Sequence, residues 1–231
     1  MDAQWAAVVL AGGRARRLGG VDKPGLTISG RSLLDGVLAA CHGAEPIVVV
    51  GPRRATMVAV HWEREQPPYA GPVAALAAGL HAVPPTAETT AVLAADLPNL
   101  RPHAVERLRA ALAAASAVDG AAVNAAAAVD RAALHAASAV DGTALHAAAS
   151  AVDGAVLVDE RGRPQWLCGV WRTARLRAAL AAAGDPVDRA VHAVLGQLTA
   201  THVPAIPGEA FDLDTPEDLR AHSRHTARPV T

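Results

Sequence analysis

Three short apolar runs constrain this chain more than any other feature. They are QWAAVVL (4–10), PIVVV (46–50) and AVLAA (91–95), and each stops on a turn signal: Gly12-Gly13, Gly51-Pro52 and Asp96-Leu97-Pro98. They are continuously apolar, without the alternation of a strand that has one wet face. Such runs are strands buried on both sides, as in a mostly parallel sheet covered by helices. Helix signals fall between them. Residues 32–42 (SLLDGVLAACH) begin with Ser32 as N-cap, and 73–83 (VAALAAGLHAV) follow Gly71-Pro72, proline suiting a first helical position. Further helices are expected over about 102–116, 172–183 and 186–197, further strands at 155–159, 166–171 and 201–205, and a terminal helix from 216. Strand and helix alternate, so the predicted class is α/β. Ligands of such folds sit beyond the carboxyl ends of the strands. The loops after the first and third runs are therefore the ones to search for chemistry.

The chain has 231 residues, of which 52% are hydrophobic and 19% charged, which excludes a disordered chain and suits one domain with a real core. The formal net charge is −1, so there is no basic field to attract nucleic acid or an anionic membrane. The apolar amino-terminal run has no basic stretch before it and runs into a glycine loop, unlike a signal peptide. No run of 18 apolar residues occurs. A soluble cytoplasmic protein is expected, as a monomer or small homo-oligomer. Cys41 and Cys168 have no CxxC spacing and read as core thiols.

Between 117 and 150 the chain repeats itself. Ala-Val-Asp begins at Ala117, Ala128, Ala139 and Ala151, at spacings of 11, 11 and 12. The units read as tandem copies of one helix-to-strand connection, and alanine dominates them as it does the chain, with 57 in all. Val118 and Val123 are five apart and form no narrow apolar stripe, so short surface helices are expected. His135 and His146 recur with the repeat and read as copies rather than metal ligands. A helix-to-strand connection lies at the amino end of a parallel sheet, away from the ligand edge. The segment thus reads as a neutral insertion, with an interaction surface as the alternative, in a single domain, 1–231, with 221–231 as a tail. His222 and His225 in that tail read as solvated. Trp166 and Trp171 read as packing residues.

The loop LAGGRARRLGGVDK (10–23) carries the clearest chemistry. Paired glycines let backbone amides approach a phosphate, and Arg14, Arg16, Arg17 and Lys23 add positive charge against the single acid Asp22. The composition reads either as a site for a polyanionic ligand or as a glycine-rich turn, and neither GxxxxGK[ST] nor GxGxxG occurs. Lys23 is the one lysine among 21 basic residues. Asp96, at the carboxyl end of the third run, reads either as a strand-terminating Asp-x-Pro turn or as a carboxylate that can hold Mg²⁺ while substrate phosphates supply the remaining ligands. In FDLDTPEDL (211–219), Thr215, Pro216 and Asp218 make a helix start. Asp212 and Asp214 remain as candidates for a second metal ligand.

Together LAGGRARRLGGVDK, GPVAALAAGL (71–80), ADLPNL (95–100), QWLCGVWR (165–172) and FDLDTPEDL closely resemble the MobA-like nucleotidyltransferases, from about residue 6 to 220. The resemblance implies a Rossmann-like, three-layer nucleotidyltransferase fold with a mostly parallel sheet. It implies Mg²⁺-dependent transfer of GMP from GTP to a molybdopterin-type phosphorylated acceptor, with pyrophosphate released. Carried over by motif position, Leu10, Ala11, Gly12 and Gly13 contact the nucleotide, Arg17 and Lys23 bind its phosphates, and Asp96 binds Mg²⁺. Gly71 falls in the nucleotide site. The family's aspartate before the Gly-Pro pair has no counterpart at its own position, and Glu65 is nearest in chemistry. The asparagine frequent after the second strand is absent, with GPRR at 51–54 instead. LAGG in the first motif favours guanine by resemblance. A cytidylyltransferase, another nucleoside monophosphate transferase, and a non-catalytic nucleotide-binding protein remain the alternatives.

Overall fold

The structure is a computed structural model that describes residues 4–13, 22–28, 30–117, 152–213 and Asp218. The repeat, the tail, Arg14, Arg16, Arg17, Asp214 and nearly all of the expected terminal helix lie outside the described residues. Of that helix only Asp218 is described, and it is helical.

The central strand is β1 (Trp5–Leu10), the first of the apolar runs. Ala7 and Val9 face one layer of helices and Ala6 and Val8 the other, and all four are fully buried. A strand sandwiched in this way has no use for polar alternation, which is why the run was legible. Beside β1 lie β4 (Ile47–Val50) and β6 (Thr89–Ala94), both parallel to it. The seven-stranded sheet is completed by β5 (His61–Glu63), β7 (Gly154–Val158), β8 (Pro164–Arg172) and β9 (Ala200–Pro204). The order is β5-β4-β1-β6-β8-β7-β9. Only β8 runs against its neighbours, β6 and β7; β9 pairs parallel with β7. A small antiparallel ribbon, β2 (Thr27–Ile28) with β3 (Arg31–Ser32), stands apart.

Helices cover both faces. On one side lie α1 (Leu33–Ala40) and α3 (102–117), through Leu34, Val37, Leu38, Val105, Leu108 and Leu112. On the other lie α2 (Pro72–His81), α4 (Thr173–Ala183) and α5 (Val191–Leu195), through Val73, Leu76, Leu80, Leu176, Val194 and Leu195. Gly79 lets α2 lie close on the sheet, since a Cβ there would fall 2.5 Å from Val8 Cγ1 and 2.7 Å from Val50 Cγ2. The expected three-layer α/β architecture with a mostly parallel sheet is the one observed.

The two tryptophans pack as expected. Trp171 is fully buried, and its ring stacks on that of Trp166 with centroids 6.2 Å apart. Cys41 and Cys168 are buried free thiols, and burial pushes both up to about 12. Among the described residues no helix is long and apolar enough to cross a membrane.

Candidate active site

Strand register assembles the site. Leu10 pairs with Ala94, so the residues that follow them, Ala11–Gly13 and Ala95–Asp96, leave the sheet side by side at its carboxyl edge. The Ala95 amide donates to Leu10 O at 3.0 Å, and the Ala11 amide donates to Val50 O at 2.8 Å. The segments after β4 and β5 emerge at the same edge, because Val50 pairs with Glu63. The segments after β1, β5 and β6 contribute to a pocket of about 650 Å³ lined by Leu10, Gly12, Gly13, Lys23, Glu65, Gly71 and Asp96, among others.

Lys23 opens a single 3-10 turn, Lys23–Gly25. Its Nζ donates to Asp96 Oδ2 at 2.7 Å, across 73 residues of sequence. The side chains are 12% and 27% exposed, so the pair is sheltered but open to the pocket. A charge-assisted hydrogen bond of this length is stronger than a neutral one. It sets the lone lysine and the strand-end carboxylate at one point beside the glycines.

Glu65 lines the same pocket. It is only 5% exposed; Oε1 accepts from the Tyr69 amide at 2.9 Å, while Oε2 is buried with no hydrogen-bond partner. A buried acceptor left unpaired costs about 1–3 kcal/mol, more when charged. Glu65 lines the pocket, so a ligand donor that reaches this oxygen removes that cost. Gly12 is next to it: a Cβ on Gly12 would lie 3.9 Å from Glu65 Oε1. Tyr69, which takes a φ of 69°, and Gly71 follow in the same loop. Gly71 caps α2 and leads into its first-turn proline, so the positive end of a helix faces the pocket.

The structure thus gathers Leu10, Gly12, Gly13, Lys23, Glu65, Gly71 and Asp96. Ala11 is fully buried behind the wall and joins through its backbone. Asp212 does not line this pocket; it lies in a separate pocket with Asp159, Arg161, Gln165 and Phe211. Its neighbour Leu213 is nevertheless anchored here, donating its amide to Asp96 O at 3.3 Å. That segment is also clamped to α3. Buried Glu209 accepts from Arg107 through both oxygens at 3.0 Å, and His103 Nε2 lies 3.1 Å from Oε1. Tyr69, Pro24, Leu167 and Asp188 line the pocket without having been singled out in the sequence. Asp188 reaches it because its amide donates to Ala70 O at 2.8 Å, a contact between distant loops that no local motif announces.

Among the described residues no group of three or more His, Cys, Asp or Glu side chains is arranged to hold a metal. Asp96 stands as a single partly open carboxylate. That donor set suits Mg²⁺, which commonly takes one or two carboxylates and fills its octahedron with substrate phosphates and water. It does not suit an ion that needs a full protein cage.

A three-layer sheet with a glycine loop and a lysine–aspartate pair at its carboxyl edge defines a class, the Rossmann-like nucleotidyltransferase fold. Residues 7–141 match the MobA-like NTP transferase domain, and the chain belongs to that family. A molybdenum cofactor guanylyltransferase of Bradyrhizobium sp. (strain ORS 278) is 38% identical over 112 residues. That match covers 45% of this chain and 53% of the relative, so it spans about half of the relative's length. Among solved structures, molybdopterin-guanine dinucleotide biosynthesis protein A from Archaeoglobus fulgidus superposes with a TM-score of 0.59 at 17% identity, over 96% of this chain and 98% of that one. The 2-C-methyl-D-erythritol 4-phosphate cytidylyltransferase of Thermus thermophilus gives 0.61 at 18% identity, over 97% and 100%. At such identities these two likenesses show the fold alone.

Proposed function

We propose that the protein is a guanylyltransferase that moves GMP from GTP to a molybdopterin-type phosphorylated acceptor and releases pyrophosphate. The observation that carries the reading is the pocket itself. It holds a lysine–aspartate pair 2.7 Å apart beside Gly12 and Gly13, and among its lining residues Glu65 has a buried carboxylate oxygen without a hydrogen-bond partner. The first suits a triphosphate. The second suits a base with adjacent N–H donors, which guanine offers as N1–H and N2–H₂; the corresponding edge of cytosine offers one donor group. The guanylyltransferase named among the relatives supports the same substrate.

In this reading a phosphate oxygen of the acceptor attacks the α-phosphorus of GTP. A new P–O bond forms while the bond to the bridging oxygen of the β-phosphate breaks, and that oxygen leaves with pyrophosphate. No side-chain nucleophile is required. The chain's work is positioning and charge compensation. Lys23 neutralises phosphate oxygens as charge moves to the leaving group. Gly12 and Gly13 bring backbone close to the nucleotide without side chains in the way. Arg17 is proposed to bind phosphate with Lys23. Asp96 is the residue that would hold Mg²⁺, with Asp214 as a further candidate, whereas Asp212 lies in the separate pocket; Mg²⁺ held by Asp96 would offset the charge of phosphate oxygens. Lys23 now occupies the Asp96 carboxylate, so ligand binding draws the lysine toward phosphate and frees that carboxylate.

The test begins with melting temperature in Mg²⁺ with GTP, CTP, ATP or UTP. A ligand at 100 times its Kd adds about 2.7 kcal/mol. A shift confined to GTP, and lost in Lys23→Ala, is expected. Turnover with GTP and molybdopterin then falls at least about 100-fold in Lys23→Ala and in Asp96→Ala, the scale of losing one charge-stabilising group. A shift with CTP alone moves the assignment to cytidylyl transfer. Near-normal turnover in the folded variants overturns the roles given to Lys23 and Asp96.

A further inference from the structure

The glycine-rich loop leaves the sheet at Ala11, and Asp22, one residue before Lys23, stands near its other end. One side chain holds both ends. Arg54 Nε lies 2.8 Å from Asp22 Oδ2 and 3.0 Å from Oδ1, and Nη2 lies 2.5 Å from Oδ1. Its Nη1 donates to Ala11 O at 3.2 Å and to Pro52 O at 2.7 Å. The Arg54 side chain is 14% exposed against 57% for Asp22, so the guanidinium is the more buried partner.

The approach of β4's end to the loop is also built in. Gly51 has a φ of 151°, and a Cβ there would fall 2.7 Å from Ala11 O and 3.0 Å from the Gly12 nitrogen. Only glycine lets the segment carrying Arg54 pass so close to Ala11. A guanidinium suits this place, because its planar fork reaches a carboxylate and two carbonyls together. The point charge of a lysine cannot.

We propose that Arg54 is a positioning residue for phosphate binding: by fastening Asp22 to Ala11 it fixes where Lys23 stands relative to Gly12, Gly13 and Asp96. The inference rests on the nucleotide reading above. A displacement of about 1 Å in a charge-bearing group can cost on the order of 100-fold in an active site, and Lys23 follows Asp22 directly. Arg54 has a second effect. Asp22 is the one acid in the loop 10–23, and its pairing removes a negative charge that would oppose a polyanion. The hydrogen bond from Arg54 holds the Asp22 carboxyl below the usual carboxylate range, outweighing the opposite pull of its partial burial. The pair is therefore complete at neutral pH and is lost only as pH falls through that lowered value.

The experiment measures Kd by calorimetry on the full chain, for GTP with Mg²⁺ and for guanosine, which has no phosphate. Arg54→Ala is expected to weaken GTP about 10-fold or more and to leave guanosine within about twofold. Arg54→Lys does not restore GTP binding. Adding Asp22→Asn to Arg54→Ala brings little further loss, because both changes remove one contact. A merely structural role weakens both ligands alike, and that result overturns the inference. So does unchanged GTP affinity in Arg54→Ala. If Arg54→Ala does not fold, Asp22→Asn decides, since it removes one charge from a mostly exposed side chain of the same shape. An unaltered ratio of GTP to guanosine affinity there overturns the proposal. If the wild-type chain binds no GTP, the functional reading itself fails and takes this inference with it; GTP binding that ignores Arg54 defeats the inference alone.

Discussion

Glu65 shows how much one side chain can decide in this site. Its Oε1 serves the fold by accepting from the Tyr69 amide, and its Oε2 is buried at the pocket without a partner. Glu65→Gln separates the two tasks. The amide oxygen still accepts from Tyr69, and an NH₂ now stands where Oε2 stood. On the proposed reading, guanine then meets a donor where it needs an acceptor. A hydrogen bond to a charged group is worth about 1.5–3 kcal/mol, so GTP affinity is expected to fall about 10- to 100-fold. CTP, whose base offers acceptors on that edge, gains. Competition calorimetry gives both constants, and an unchanged GTP-to-CTP ratio places base recognition elsewhere in the pocket. At this scale the sequence was only partly readable. Lys23 and Asp96 stand in ordered motifs beside strand ends, so their neighbourhood could be inferred. Arg54 could not be, because its partner Asp22 lies 32 residues away and the contact exists only after β1 and β4 pair.

At the scale of elements, legibility followed burial. Strands β1, β4 and β6 are buried on both faces and read as unbroken apolar runs. Strand β5 is His-Trp-Glu, an edge strand with one neighbour, and carries no such run; it escaped the sequence reading, as did the two-residue ribbon β2–β3. The expected helix over 186–197 is shorter, Val191–Leu195, because residues 184–190 turn toward the pocket and place Asp188 there. The start of α1 was legible, since Ser32 has the chemistry of a cap. Its Oγ accepts from the Asp35 amide at 3.0 Å. Asp35 in turn accepts from the Met57 amide at 2.8 Å, so the cap also ties α1 to the segment that carries Arg54. Ser32→Ala is expected to cost about 1 kcal/mol, the usual loss for such a cap. A urea melt checks it: the midpoint falls with an unchanged slope. A midpoint equal to that of the wild type means the cap bond adds nothing in the folded state.

At the scale of the whole molecule, the junctions of the repeat lie far from the pocket. The repeat at 117–150 leaves from the end of α3 and returns just before β7. Arg172, the last residue of β8, holds both flanks: its guanidinium donates to Val152 O at 2.9 Å and to Ser116 Oγ. Its amide also donates to Asp153 O at 2.8 Å. Arg172 pairs with Thr89, the first residue of β6, whereas Asp96 lies beyond the other end of that strand. Seven residues at about 3.3 Å each put roughly 20 Å between that junction and the site. The flanks already meet at one guanidinium, so the core does not need the intervening chain to span a gap. Closure entropy changes only logarithmically with loop length, so shortening the connection adds little stability. Excising 117–150 joins Ser116 to Ala151 and leaves 197 residues. The expected protein melts cooperatively, keeps GTP affinity within about twofold, and retains its response to Lys23→Ala. A deletion protein that folds but no longer binds GTP would show that the insertion reaches the carboxyl edge after all. In that case the repeat belongs to the active site, and the separation of insertion from chemistry drawn from β6 and Arg172 is wrong.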